Sequence, residues 1–238
     1  MQKDFHYCAV YVLSTEAGFR PADAATIAYA SQYVDDATES EPVPLPHGQV
    51  FDTVRTAHIG LRSLAWGVQK KVYMPFHFLA NIVRRDAPRE FSYVTRPATG
   101  AKEEQATRLF AAAVAERDPE FRLIRLGVAL HTIADTFAHA GFSGRHDQEN
   151  DVERIAVQTT TGWRECVIGS VTDVFRPRIG HAEAMSYPDY PYLTWRYRDA
   201  QGTTVIRLNP EIFSQAAAFV YGLLSKARNS RSKMPAGV

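Results

Sequence analysis

Residues 119–139, PEFRLIRLGVALHTIADTFAH, join an apolar helical stripe to three ionisable side chains, and few folds can absorb both. Leu123, Leu126, Leu130, Ile133 and Phe137 recur at spacings of three and four, the period of a helix that buries one face. His131, Asp135 and His139 stand four and four apart on the same segment. Four residues of α-helix turn a side chain by about 40° and lift it by about 6 Å, so these three form a ladder. A carboxylate among such apolar neighbours is costly to bury unless it is paired or bound to a cation. Two readings follow. The ladder is a buried Asp–His hydrogen-bonded pair that stabilises helix packing, or it supplies ligands to one or two metal ions, since zinc accepts imidazole nitrogen and carboxylate oxygen.

Around this segment the chain reads as mostly helical. Helices are expected over 4–17, with Gly18 as the stop, and over 21–36, where Pro21 suits a first helical position. Further helices are expected over 51–66, 101–116, 119–139, 152–174 and 209–228. Three prolines and a glycine make SEPVPLPHGQV, residues 40–50, a loop. Residues 72–84 read as loop then short helix, and 86–100, 141–150 and 176–191 as irregular connections. YLTWRYRDAQGTTVIRLN holds two alternating runs about a glycine turn, a hairpin signature. The expectation is a mostly-α fold: a single-domain helical bundle over residues 1–228, one small β-hairpin near residues 192–208, and a disordered tail over 229–238.

Bulk properties narrow the function classes. With 238 residues the chain needs no disulfides to hold a core. A net charge of +1 provides no global field for nucleic acid or an anionic membrane, so no stable nucleic-acid partner is expected. No segment reaches about 18 uninterrupted apolar residues, so no membrane span is expected. Cys8 and Cys166 lie far apart and outside any CxxC pair, which fits reduced thiols and, with no leader-like N-terminus, a cytoplasmic location. Nothing fixes the oligomeric state.

Other residues extend the ladder. His6 lies in the first turn of the first helix. Asp35 and Asp36 close the second helix, where acids oppose the helix dipole and call for a compensating cation or arginine. His77 sits in the apolar stretch MPFHFL, where a core imidazole is the simpler reading. His181 follows a glycine, with Glu183 and Asp189 nearby. His47 stands in the proline-rich loop, His58 suits a helix face, and the His146–Asp147 pair lies in a polar loop. Tyr187, Tyr190, Tyr192 and Trp195 cluster beside His181, either as a substrate-stacking surface or as packing for the hairpin.

In chain order this set resembles the ligand pattern of the zinc-dependent phospholipase C and single-strand nuclease superfamily. HYCAVYVL resembles that family's first-helix run, SQYVD its helix-ending Asp, which favours Asp35 over Asp36, and PFHFL its His-Phe-aliphatic segment. The resemblance covers a ligand skeleton over roughly residues 4–190 and little between. It implies metal ligation by His6, Asp35 or Asp36, His77, His131, Asp135, His139 and His181 with an acid, and one to three zinc ions. The pattern departs at three points. Family members carry an N-terminal amine ligand, for which Asp4 is a candidate substitute here. His139 follows Asp135 by four residues rather than six. Met185 occupies the expected acid position, leaving Glu183 or Asp189 to complete the site.

The resemblance therefore implies a metal-dependent hydrolase that cleaves a phosphoester or phosphodiester with metal-activated water. Asp35 and Asp135 are its candidate catalytic carboxylates, Tyr187, Tyr190 and Trp195 its candidate substrate-binding residues, and Arg55, Lys70, Lys71 or Arg145 its candidate phosphate holders. The alternatives are an iron enzyme such as a di-iron oxidase, a cyclase, or a helical binding protein with a structural metal.

Overall fold

Two helical segments at the start of the chain set the frame. In the computed structural model, residues 1–39, 41–57, 65–80, 93–99, 104–166 and 178–232 are described. A π-helical segment, Asp4–Ala9, runs without a break into α1 (Val10–Glu16), and α2 spans Pro21–Asp36 with Pro21 at its first turn. A short α3 (Trp66–Val68) leads into a second π-helical segment, Gln69–His77, which contains Pro75. Then come α4 (Glu104–Val114) and the long α5 (Pro119–Ala138). Helix α6 (Asn209–Ser232) closes the described chain. Asp118 caps α5 by accepting from the backbone N–H groups of Glu120 and Phe121, both at 2.9 Å.

Among the described residues, six strands form two antiparallel sheets. A two-residue ribbon pairs β1 (Val43–Pro44) with β2 (Val50–Phe51). The second sheet orders β3 (Glu153–Thr159), β4 (Gly162–Glu165), β5 (Thr194–Arg198) and β6 (Thr204–Leu208) as β4-β3-β5-β6. On β5 the period of two is plain: Trp195 and Tyr197 are buried, whereas Arg198 is exposed.

Each layer has its own core. Phe5, Val10, Ile27, Leu130, Ile133 and Leu224 belong to the core shared by α1, α2, α5 and α6. Phe78, Phe142, Ile155, Trp195 and Tyr197 form a second core under the sheet. Helices α2 and α5 approach closely because Gly127 has no side chain: a Cβ there would lie 2.3 Å from the Ile27 carbonyl oxygen. That approach brings the end of α2 beside His131 and Asp135.

The fold is therefore mixed α/β, and the expectation of a mostly-α bundle with one small hairpin is overturned. The hairpin near 192–208 exists, but as half of the four-stranded sheet. Its other half is β3–β4, where a helix over 152–174 was expected. Ile155, Val157 and Thr159 are β-branched and favour a strand; Thr160 and Thr161 make the turn, and Gly162, with φ 118°, opens β4 opposite Thr159. The expected helix over 51–66 is contradicted where described. Phe51 ends β2, residues 52–57 carry no regular structure, and 58–64, including His58, lie outside the described residues. Between 72 and 84 the expected loop at the start is instead helix, which runs up to His77; residues 78–80 are non-helical, and 81–84 lie outside the described residues. The expected tail also begins too early: residues 229–232 are the last turn of α6, and 233–238 lie outside the described residues.

Candidate metal centre

The site lies where the two cores meet, and five elements each contribute to it. His6 comes from the first π-helical segment, Asp35 from the end of α2, and His77 from the end of the second π-helical segment. His131 and Asp135 come from α5, and His139 is its C-cap. His181 and Asp189 lie in the connection before β5. Both π-helical segments thus carry a site histidine, in keeping with the tendency of π-helical turns to mark functional positions.

Asp135 is the hub. It is 1% exposed. Its Oδ1 lies 3.1 Å from His6 Nε2, and its Oδ2 lies 3.2 Å from His77 Nδ1 and 3.3 Å from His131 Nε2. Asp35 faces the same three rings at 3.9, 3.8 and 3.7 Å. These five residues form an inner group. An outer group comprises His139, whose Nε2 is 3.1 Å from Asp189 Oδ1, and His181, whose Nε2 is 3.4 Å from Asp189 Oδ2. The Met1 amine joins the groups, 2.6 Å from Asp135 Oδ1 and 3.1 Å from Asp189 Oδ1.

Backbone carbonyls fix three of the five rings. His77 Nε2 donates to the Thr56 carbonyl at 2.8 Å, His139 Nδ1 to the His77 carbonyl at 2.8 Å, and His181 Nδ1 to the Met185 carbonyl at 2.6 Å. In each case the other ring nitrogen points at a carboxylate. Thr56 is itself tied to the end of α2, its hydroxyl donating to the Val34 carbonyl and its N–H to the Ala37 carbonyl. His6 and His131 stack with centroids 3.8 Å apart, and the Nδ1 of each is buried without a hydrogen-bond partner.

The electrostatics follow from burial among carboxylates. Burial opposes the charge on the Met1 amine, but Asp135, Asp189 and Asp35 outweigh it and raise the amine to about 11. Burial would raise Asp135, yet His139, the amine, His131 and His6 hold it well below the carboxylate range. Asp189 is lowered in the same way, chiefly by the amine and His181 against its own burial. Burial lowers His6 to about 4 and also lowers His181, so both favour the neutral form that a metal requires. His77 is raised: burial is outweighed by its bond to Asp135 and by the charges of Asp135 and Asp35.

Of the residues expected from sequence, His6, Asp35, His77, His131, Asp135, His139, His181 and Asp189 come together in three groups with ligand-like spacing. Asp36 does not join them. It accepts from Gln32 Nε2 at 3.0 Å on its own helix. Asp4 accepts from the Phe5 N–H, and Glu183 from the Val152 N–H, so neither reaches the cluster. Trp195 is fully buried, donates from Nε1 to Asn209 and stacks between Tyr187 and Tyr197; it is a core residue rather than a substrate surface. The Tyr187 hydroxyl donates to Cys166 Sγ, and Tyr190 stacks on Tyr192.

The cleft over the site, a cavity of about 290 Å³, is instead walled by Tyr73, Phe78, Ile179 and Ala182. Neither the three aromatic candidates nor Arg55, Lys70, Lys71 and Arg145 are among its lining residues. Arg145 stacks over Tyr93 and pairs with Asp147. Sequence reasoning missed Tyr73, the Met1 amine and the Thr56 carbonyl. The last two carry no side-chain signal. No helix among the described residues is long and apolar enough to cross a membrane. No curated protein and no solved structure shows significant similarity to the chain. A family model does match, over residues 1–236, and the chain belongs to that family, DUF6765, a family of unknown function.

Proposed function

We propose that the cluster is a zinc centre and that the chain is a metal-dependent hydrolase of phosphoester or phosphodiester bonds. One observation carries the metal reading. His139 and His181 each spend one ring nitrogen on a backbone carbonyl and turn the other toward the same carboxylate, Asp189. A bare nitrogen facing a carboxylate is repulsive unless a proton or a cation lies between them. The Met1 amine, 3.1 Å from Asp189 Oδ1 and 3.5 Å from His139 Nε2, meets this need on the His139 side; burial disfavours the protonated form of His181, and a metal ion would satisfy both rings at once. The dimensions are close: zinc bonds of about 2.0–2.1 Å place tetrahedral donors about 3.3 Å apart, the His–carboxylate separations here run from 3.1 to 3.9 Å, and the ligand atoms of each of the three groups lie within 4.8 Å of one another. A metal-ligating imidazole also usually donates its other N–H to a carbonyl or carboxylate, as His77, His139 and His181 do here.

His6, Asp35, His77, His131 and Asp135 would hold the inner metal, and His139, His181 and Asp189 the outer one. Bound metal supplies a water of lowered pKa and neutralises charge on phosphoryl oxygens. Asp35, 31% exposed against 1% for Asp135 and 13% for Asp189, is the most exposed of the three carboxylates that line the cleft and would take the proton from the attacking water. Asp135, the most buried of the three, would act as a ligand. Tyr73 and Phe78 form the apolar wall against which the leaving group packs. Unpaired Cys8 and Cys166 fit a reducing compartment, and we place the protein in the cytoplasm.

The test is turnover of a chromogenic phosphodiester and monoester panel by chelator-stripped protein refilled with zinc, beside Asp35→Asn. Zinc-dependent turnover that falls at least 100-fold in the variant is expected. Zinc-loaded protein inert on the whole panel refutes the hydrolase reading, and purification with bound iron favours an oxidase.

A further inference from the structure

Two buried polar residues on the far side of the site bind none of its side chains, yet hold both segments that carry the outer group. Arg207 on β6 is 7% exposed. Its Nη1 donates to the Ala140 carbonyl at 2.6 Å, and its Nη2 to the Ala138 carbonyl at 2.6 Å and the Phe137 carbonyl at 3.3 Å. These carbonyls flank His139. Asn209, the first residue of α6, is fully buried. Its Nδ2 donates to the Tyr187 and Tyr190 carbonyls at 2.7 and 2.8 Å, on either side of Asp189, and its Oδ1 accepts from Trp195 Nε1.

We infer that Arg207 and Asn209 are positioning residues that set the distance between His139 and Asp189, and so make the outer metal position. The inference rests on the metal reading above. Arg207 takes carbonyls that the end of α5 leaves free, because Gly141, with φ 91°, lies two residues beyond the C-cap and its N–H goes to the Thr95 carbonyl. Asn209 has no such role at α5, yet holds the facing turn. The Trp195 side of β6 is a core where an aliphatic residue would pack without the desolvation of a guanidinium. What the pair adds is register: one short stretch, Arg207–Asn209, grips the end of α5 and the 187–190 turn together. His139 Nε2 and Asp189 Oδ1 then meet at 3.1 Å.

The test uses zinc-buffered titration of the full chain, with zinc per chain counted by elemental mass spectrometry, for wild type, Arg207→Lys and Asn209→Ser. Both replacements keep a polar group, but neither spans the carbonyls its parent spans. His181→Ala identifies which binding step is the outer one. The expected result is an outer-step affinity about 10–100-fold weaker in both variants, as for lost outer-shell partners generally, with the inner step within twofold of wild type. Unchanged outer affinity with only a lower melting temperature overturns the inference, as does a parallel loss of all steps. A wild-type chain that binds zinc only at the inner group also overturns it. A wild-type chain that binds no zinc refutes the metal reading itself.

Discussion

Replacing Asp135 by Asn keeps the shape of the hub and removes its charge. In wild type that carboxylate serves the Met1 amine at 2.6 Å and three imidazoles within 3.3 Å, all buried. Breaking a buried ion pair from one side costs about 3–5 kcal/mol, so metal-free Asp135→Asn is expected to be less stable by about that amount. Zinc separates this loss from ligation. A site filled at 100 times its Kd stabilises the fold by about 2.7 kcal/mol. With a urea slope of up to about 3 kcal/mol/M for a chain of this size, wild type should gain about 1 M in midpoint on zinc addition. The variant, lacking the carboxylate shared by the inner rings, should gain much less. The assay is urea unfolding followed by circular dichroism, with chelator and with buffered zinc, for both proteins. An equal zinc shift in the two would refute the assignment of Asp135 as a ligand. No shift in wild type would reduce the cluster to a hydrogen-bond network.

Two further outcomes follow from the same geometry. The Met1 amine rises from 8.0 to about 11 on folding. Its contribution, about 4 kcal/mol for three pH units, is fully present below pH 8 and is lost as pH rises through 11. Metal-free protein should therefore lose urea stability across that window, and acetylation of the Met1 amine should remove the slope. Gly127→Ala places a Cβ 2.3 Å from the Ile27 carbonyl oxygen; it should destabilise the fold by about 1–3 kcal/mol and weaken inner zinc binding as α2, with Asp35, is pushed from α5. A Gly127→Ala protein with wild-type zinc affinity would show that the helix spacing does not set the site.

Much of the site was legible because its ligands sit on helices whose periodicity is strong. The α2 boundaries, Pro21–Asp36, follow from a proline at the first turn and acids at the end, and α5 announces itself by its apolar stripe. The discomfort of two acids at a helix C-terminus pointed to a cation, but could not say which acid turns inward; the rotation of α2 against α5 decides for Asp35. The sheet was half hidden. β5–β6 alternate cleanly about Gly202, whereas β3–β4 offered apolar residues at spacings that also suit a helix, and only the β-branched run before Gly162 argued otherwise. Trp195 was ambiguous because an aromatic cluster reads the same whether it packs a hairpin or a substrate. The anchors of the rings were invisible for a different reason. The Thr56, His77 and Met185 groups that hold imidazoles are backbone carbonyls, present at every position and made specific only by the fold.

The inner and outer groups differ in what they demand of that fold. Four of the five inner residues, His6, Asp35, His131 and Asp135, stand on helices that share the first core, and the fifth, His77, ends the second π-helical segment beside Phe78. The outer group joins His139, at the end of one of those helices, to His181 and Asp189, which lie in a turn resting on the second core beneath the sheet. Phe78 marks the seam: its ring stacks on His139 at 4.7 Å and presses against Gly180, where a Cβ would lie 2.3 Å from it. A ligand set that spans two cores exists only while both are docked, and no such set is preformed in an unfolded chain, so metal binding there is coupled to folding. Metal at the outer group should therefore tie the sheet to the helices, whereas metal at the inner group should stiffen the helical layer and the 69–77 segment that carries His77. Amide hydrogen exchange would resolve the two: zinc at the outer step should protect β5 and β6 as well as α5, and protection confined to α2 and α5 at every step would show that the outer residues do not bind as a unit.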